Sequence, residues 1–302
     1  MSYVTVVGSA NMDIGGVPYK KAMSRDSNPG RISLSVGGVG GNIARNLSAM
    51  GVDVKFITVL GGDIFAGAIK DCFDRSGVDL SHSFYDPHGR SSAYLFINDA
   101  DGDMLAAVSD MEPSALLTPE VLSQKLDVIN GGDALVMDAN LAQESIEFLA
   151  CHCTVPIFAD AVSAAKTPRL QSSLGSLNTF KPNRLEAQLL TGKDTLEEAA
   201  HELLKTGLRN VFITLGADGV YCADKTRALT LPVLNVPALN TTGAGDAFTA
   251  ALVKAHLEGL NLLKSGLLGL AAAAITAASD HSVCPEMNMD NIYEILRKEN
   301  LF

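Results

Sequence analysis

The chain has 302 residues, 47% of them hydrophobic and 19% charged, with a mean hydropathy of +0.19, so it can bury a large core and wholesale disorder is excluded. Its 34 acidic residues outnumber 23 basic ones for a net charge of −11, and no basic cluster interrupts that balance. A surface for nucleic acid or anionic membrane is therefore not expected, and any phosphate-bearing ligand must be held by local geometry.

Taken in chain order, short β-branched runs alternate with amphipathic helices. Val4–Val7 and residues 54–59, 134–137, 155–159 and 211–214 read as buried strands, because near-continuous apolar runs separated by helices suit a parallel sheet covered on both faces. Ile43, Leu47 and Met50 mark one helical face that Gly51 closes. Thr118-Pro119 reads as an N-cap followed by proline at the first helical position, and Thr195 to Glu198 as a capping box. The stretch 266–278, bracketed by Lys264 and Asp280, is too short to span a bilayer and reads as a buried helix. The pattern is βαβ throughout, hence a doubly wound α/β fold. With no linker, repeat or low-complexity tract, residues 1–302 read as one domain.

Two regions break the rhythm. Residues 14–36 are rich in glycine and proline and lack a helix period, and residues 84–108 alternate around the turn Asn98 to Asp103 like an antiparallel hairpin. Such a hairpin has a face with no core of its own, so it must cover a site, pair with another subunit, or both. The five scattered cysteines read as reduced thiols, with Cys151 and Cys153 as core thiols around a short turn and not as a metal site. The opening residues lack the basic stretch and cleavage site of a signal peptide, so a cytoplasmic protein is expected. The six histidines are scattered singly and are expected to be structural or solvated.

Four segments carry candidate chemistry. Residues 240–248 place Gly243, Ala244 and Gly245 at a helix start, where backbone N–H groups and the helix dipole can hold an anion. Asp246 beside them makes sense as a base taking a proton from an attacking hydroxyl; an ordinary glycine-rich helix start with aspartate in its first turn is the alternative. The run Gly37 to Asn42 opens another helix but lacks the Rossmann fingerprint, and no Walker loop is present. Asn11 and Asp13 follow the first strand, where open α/β sheets bind ligands, and suit a polyol. Asn183 and Glu186, three apart at a helix start, suit metal-bound water and phosphate, or are a plain helix cap. Thr214 to Gly219 is a strand-to-strand turn whose glycines leave room for a nucleotide.

In order and spacing these segments resemble the ribokinase-like (PfkB) carbohydrate kinases over essentially the whole chain: residues 37–51 are similar to the first family signature and 241–250 to the second. Stretches 7–13, 26–30, 91–95 and 181–187 most resemble the branch that phosphorylates pseudouridine. The resemblance implies a mostly parallel sheet flanked by helices with a small β lid over the sugar, formed by 14–36 and 84–108. It implies ATP and Mg²⁺, and transfer to the 5′-hydroxyl of pseudouridine to give pseudouridine 5′-phosphate and ADP; another nucleoside or sugar, such as ribose, adenosine or cytidine, is the alternative. On this resemblance Asp246 is the catalytic base and Gly243, Ala244 and Gly245 form the anion hole. Asp13, Gly38 and Asn42 hold the ribose, with Asn140 as a further sugar contact. Asn183 and Glu186 organise Mg²⁺, Glu186 through water, and Thr214, Gly216 and Gly219 form the ATP turn. Ser27 and Asn28 are the candidates for reading the base, ahead of Ser92 and Tyr94.

The sequence departs from the pattern twice. Asn240 replaces an aspartate common in the family, which argues against a K⁺ requirement, and Val39 replaces the lysine of typical ribokinases, which favours a nucleoside over free ribose. The intact segment Gly243 to Asp246 argues against a non-catalytic binding protein on the same fold. The expected partners are a small-molecule nucleoside and a second copy of the chain joined through the lid, with no nucleic acid or membrane.

Overall fold

The structure, a computed structural model, describes residues 2–301. Its strands are β1 (Val4–Val7), β2 (Asn11–Pro18), β3 (Gly30–Gly37), β4 (Val54–Ile57), β5 (Val59–Gly61), β6 (Phe84–Asp86), β7 (Ser92–Asn98), β8 (Met104–Asp110), β9 (Ala134–Asp138), β10 (Ile157–Asp160), β11 (Thr179–Phe180), β12 (Asn210–Thr214), β13 (Val220–Asp224) and β14 (Ala228–Leu231). Between them run the helices α1 (Val39–Ala49), α2 (Ile64–Arg75), α3 (Pro119–Ser123), α4 (Leu126–Asn130), α5 (Gln143–His152), α6 (Arg184–Thr191), α7 (Leu196–Lys205), α8 (Ala244–Leu257), α9 (Leu262–Ala277) and α10 (Met289–Lys298).

Eight strands form the central sheet in the order β14-β13-β12-β11-β10-β9-β1-β4, parallel from β12 to β4 and antiparallel at the β13 and β14 edge. The two-residue side-chain period explains the unbroken apolar runs. Val4, Val6, Val136, Phe158 and Phe212 enter one core with α1, α8, α9 and α10, while Val7, Leu135, Met137, Ile157 and Val211 enter a second with α5 and α7. Truncating one fully buried ring, such as Phe158 or Phe248, would cost about 3–5 kcal/mol. The chain leaves β1 first towards β4 and later returns to β1's other side through β9, so the strand order reverses between β1 and β9. The crevice at the carboxyl ends of those two strands is where such sheets bind ligands.

The local readings of the sequence hold with adjustments. Gly51 follows α1 with φ of +76°, and its N–H donates to the Ser48 carbonyl. Thr118 caps α3 through the Val121 N–H. Thr195 caps α7 through the Glu198 N–H, but the Glu198 carboxylate takes the Thr195 hydroxyl and not its backbone N–H, so the box is half closed. Residues 54–59 divide into β4 in the central sheet and β5, which pairs with β6 in a sheet of two. Cys151 is exposed and Cys153 half-buried at the end of α5, which corrects the reading of two core thiols. His152 between them stacks on Phe148. No helix among the described residues is long and apolar enough to cross a membrane.

The two irregular regions form one object. β2 and β3 pair antiparallel, β7 and β8 form the expected hairpin, and a parallel pairing of β2 with β7 joins them into a four-stranded sheet, β3-β2-β7-β8. Register sorts its faces. Asp13, Ser35, Tyr94 and Ser109 lie in one row with Gly15, Ser33 and Phe96 beyond them, while Ile14, Leu34, Leu95 and Val108 point the other way. The apolar face packs on the body only near its base, and Ile32, Leu34 and Val108 remain 77%, 64% and 63% exposed.

Candidate active site

Asp138, at the carboxyl end of β9, organises the crevice. Its Oδ2 accepts the backbone N–H groups of Ser9 at 2.9 Å and Gly40 at 2.8 Å, and its Oδ1 accepts that of Asn140 at 2.8 Å. One buried carboxylate thereby ties the turn after β1, the first turn of α1 and the loop after β9 together. A Cβ on Gly8 would lie 2.4 Å from Asp138 Oδ2, so the close approach needs a glycine there. The sequence reading did not single out Asp138; an aspartate ending an apolar strand looks like a plain terminator.

On this frame α1 presents Asn42, whose Nδ2 donates to Asp246 Oδ2 at 2.8 Å across 204 residues of chain. Asn42 is 6% exposed, and its Oδ1 has no partner. Asp246 lies in the first turn of α8, capped by Gly243 with φ of +83°. The Ala244 N–H makes a long 3.3 Å bond to the Thr241 carbonyl, while the N–H groups of Gly243, Gly245 and Asp246 meet no acceptor among the described residues. Of the expected trio, Gly243 and Gly245 thus keep open donors, and Asp246 stands in for Ala244. Burial, and next the nearby Asp160 carboxylate, raise the Asp246 pKa above the usual carboxylate range against the pull of Asn42 and Lys181.

The lid brings Asn11 and Asp13 to the same crevice. Asn11 Nδ2 donates to Asp13 Oδ1 at 2.5 Å, and a Cβ on Gly37 would lie 2.1 Å from Asp13 Oδ2. Gly38 follows and caps α1, so Asp13 and Asn42 flank one hinge. Burial pushes the Asp13 carboxyl up to about 6, with the Asn11 amide holding it back. Asn140, 7% exposed, donates to Ser9 Oγ at 2.7 Å and accepts from Lys166.

Residues 183–219 form the other wall. Asn183 and Glu186 make a reciprocal capping box at the start of α6, Asn183 Oδ1 accepting the Glu186 N–H at 2.9 Å and Glu186 Oε2 accepting the Asn183 N–H at 2.8 Å. The helix-cap alternative is therefore real, yet Glu186 Oε1 and Asn183 Nδ2 are left over. Burial raises the Glu186 pKa, with the Asn183 N–H and Lys181 acting against it. Thr214 donates its N–H to the Pro182 carbonyl at 2.9 Å, which sets the β12–β13 turn beside Asn183. Gly216, at φ of +61°, faces open space. Gly219 does not: a Cβ there would sit 2.0 Å from the Leu231 carbonyl oxygen, so this glycine serves the contact with β14.

Ser27 and Asn28 are not brought to the crevice. They lie beyond the far end of β2 and β3, five residues past Asp13 at Pro18, or about 17 Å along an extended strand. Both amide atoms of Asn28 are engaged locally, with Met23 and Asp26. Ser92 is buried at the base of β7, and Tyr94 lies in the Asp13 row of the lid face with Phe96 5.7 Å away, centroid to centroid. Sequence reasoning also missed a cavity of about 410 Å³ behind the start of α8, lined by Val236, Ile275, Ala278, Cys284, Glu286 and Ile295. Its walls come from three separate segments, so no local motif announces it.

The model of the pfkB family carbohydrate kinases matches residues 1–285. The chain belongs to the PfkB family of carbohydrate kinases. It is therefore a phosphotransferase acting on an alcohol group of a sugar or nucleoside. The chain is 30% identical to the pseudouridine kinase of Escherichia coli strain K12, covering 97% of this chain and 96% of that one. It is 27% identical to the guanosine-inosine kinase of Exiguobacterium acetylicum, over 95% and 98% of the two chains. The ribokinase of Arabidopsis thaliana, solved in complex with ribose and ATP, superposes with a TM-score of 0.87 over 98% of this chain and 99% of that one at 21% identity, which establishes a ribokinase-like fold.

Proposed function

We propose that this PfkB kinase transfers the γ-phosphoryl group of ATP to the 5′-hydroxyl of pseudouridine, producing pseudouridine 5′-phosphate and ADP. The observation that carries the reading is the Asn42–Asp246 bond, which couples the lid side of the crevice to the helix start with free N–H groups. The similarity to pseudouridine kinase from E. coli supports the choice of nucleoside.

In this mechanism Asp13 and Asn42 accept hydrogen bonds from the ribose hydroxyls, Asn42 through its unpartnered Oδ1, with Gly38 giving the sugar close access and Asn140 adding a further contact. Asp246 takes the proton of the 5′-hydroxyl as its oxygen attacks the γ-phosphorus in line, and the bond to the β–γ bridging oxygen breaks to release ADP. The N–H groups at the start of α8 stabilise the charge that builds on the phosphoryl oxygens. The cavity walled by Val236, Ile275 and Ile295 would take the adenine, with Gly216 and Gly243 left for the triphosphate. Glu186 Oε1 is an acceptor left over for the waters that an octahedral cation keeps, so Glu186 would hold Mg²⁺ through them, while Asn183 Nδ2 would donate to a phosphate oxygen. Mg²⁺ supplies charge neutralisation on the phosphates.

Tyr94 and Phe96, with ring planes tilted 33° to one another, give the lid face an aromatic surface in register with Asp13, on which a nucleoside base stacks while its ribose is held below. Asn240 uses its Oδ1 on the Thr242 N–H, in keeping with turnover that needs no K⁺. The exposed apolar face with Ile32, Leu34, Leu95, Ile97 and Val108 fits a second copy of the chain in a cytoplasmic homodimer, two identical lid faces covering one another. Light scattering of the wild type against Leu34→Glu checks that pairing.

The testing experiment is ADP release from Mg-ATP with pseudouridine, uridine, cytidine, adenosine, guanosine, inosine and ribose offered separately, in Na⁺ and in K⁺. The expected result is a strong preference for pseudouridine, unchanged by the cation. Preference for ribose or a purine nucleoside rejects the substrate assignment, and no turnover with any acceptor rejects the kinase reading.

A further inference from the structure

One buried cation in the crevice has no part in the scheme above. Lys181 leads from β11 to the Asn183 cap and is 7% exposed. Its Nζ lies 3.3 Å from Asp160 Oδ2 and close enough to α8 that a Cβ on Gly245 would meet it at 3.4 Å. Asp246 and Glu186 also act on it electrostatically, so three carboxylates surround a single ammonium. Burying an ammonium is expensive, and an apolar side chain of like length would fill the space without that cost.

Asp160 does not require the lysine for its own satisfaction. Its Oδ1 accepts the Val162 N–H at 2.9 Å and its Oδ2 accepts the Thr249 hydroxyl at 2.9 Å, which anchors the first turns of α8 to β10. Asp160 therefore works as a bracket, setting α8 and Lys181 at a fixed separation. Of the three N–H bonds of the ammonium, only the one towards Asp160 meets an acceptor among the described residues. The others are available beneath Gly245, beside the free N–H groups of the helix start.

We propose that Lys181 is a catalytic residue that donates from Nζ to the phosphoryl group in transfer, completing with fixed positive charge an anion hole otherwise built from backbone N–H groups. This rests on the kinase reading of the preceding section. It answers a problem posed by composition: a chain with a net charge of −11 and no Walker lysine must still meet the charge of a nucleoside triphosphate. A point charge serves phosphate well without the bidentate geometry of arginine. It carries a full positive charge, where the helix start supplies about half of one. Towards Asp246 the same ammonium opposes the effect of burial and favours the ionised base.

The test compares wild type with Lys181→Met, which keeps length and removes charge, and with Lys181→Ala. Thermal melting shows which variants are folded. Calorimetry measures binding of Mg-ADP and of the non-hydrolysable β,γ-imido analogue of Mg-ATP, and steady-state kinetics give kcat with the best acceptor. In Lys181→Met, kcat is expected to fall about 10²–10³-fold, the range for removing one oxyanion donor. Mg-ADP affinity stays within about threefold, while the wild-type preference for the triphosphate analogue shrinks at least about tenfold, the loss of one charge-assisted contact. Methylammonium added to Lys181→Ala is expected to restore part of kcat, which gives a second readout should the methionine variant fail to fold. A Lys181→Met enzyme with the wild-type triphosphate preference and kcat, or an alanine variant that amines do not rescue, overturns the inference and leaves the kinase reading standing. A wild-type protein that binds neither nucleotide overturns both.

Discussion

Replacing Asp138 by asparagine changes almost no volume and tests the frame of the site. In the native crevice both carboxylate oxygens accept, Oδ2 from Ser9 and Gly40 and Oδ1 from Asn140. An asparagine offers one oxygen and one NH₂ group, so in either orientation the NH₂ meets at least one backbone N–H head-on. Two buried donors then go unpaired, at about 1–3 kcal/mol each, for a loss of about 2–6 kcal/mol. With an unfolding entropy of about 2.1 cal/mol/K per residue over the chain, that lowers Tm by roughly 3–9 °C. Calorimetry of Asp138→Asn against Asp74→Asn makes the comparison, because Asp74 pairs with Lys70 at an exposed site where the effect should stay under about 1 kcal/mol. The loosened loop also carries Gly40 and Asn42, and a shift near 1 Å would lower kcat about 10²-fold. Equal melting temperatures for the two variants, with kcat intact, would refute the account of Asp138 as the common anchor.

Asp246→Asn should retain the wild-type fold and lower kcat by about 10²–10⁴-fold, the range for a positioned general base, as measured by coupled ADP release; turnover within tenfold of wild type contradicts the assignment. The Asp13 carboxyl, raised by burial to about 6, is protonated below that pH and then loses acceptor capacity, so nucleoside KM should rise as pH falls through 6 while ATP KM changes little. A flat nucleoside KM between pH 5 and 7 would remove Asp13 from the sugar site. Phe96→Ala should raise nucleoside KM about tenfold, matching roughly 1–3 kcal/mol for one stacked base, and leave ribose KM unchanged; equal effects on both substrates would dismiss the stacking surface.

The sequence showed most of the body and part of the site. β1, β9, β10 and β12 were legible because a strand buried on both faces has no polar alternation to blur it. Gly51 and Thr118 were legible because caps act within four residues. The lid was visible only as an interruption, since its decisive pairing, β2 with β7, joins segments about 80 residues apart and leaves no local trace. Distance along the chain also hid the roles of Asp138 and Lys181, whose meaning lies in what three other segments bring to them. For Ser27 and Asn28 the resemblance identified a lid segment correctly but could not give the strand length that separates them from the sugar. Asn183 and Glu186 show the opposite case, in which one spacing satisfies a helix cap and leaves atoms over for a ligand.

The chain crosses between the four-stranded sheet and the body near residues 10, 38, 91 and 111, all at the base of the sheet. A plate anchored along one edge is expected to move as a unit. Asn11 and Asp13 ride on the plate, whereas Asn42 and Asp246 are fixed to the body through Asp138, Asp160 and Thr249. In the proposed mechanism, the groups that grip the acceptor would therefore converge with the base, Asp246, only at one angle of the plate. An enzyme charged with ATP but lacking a nucleoside would then have no acceptor to hold the plate at that angle. The acceptor would be the key that completes the machine, and wasteful hydrolysis would be suppressed by timing.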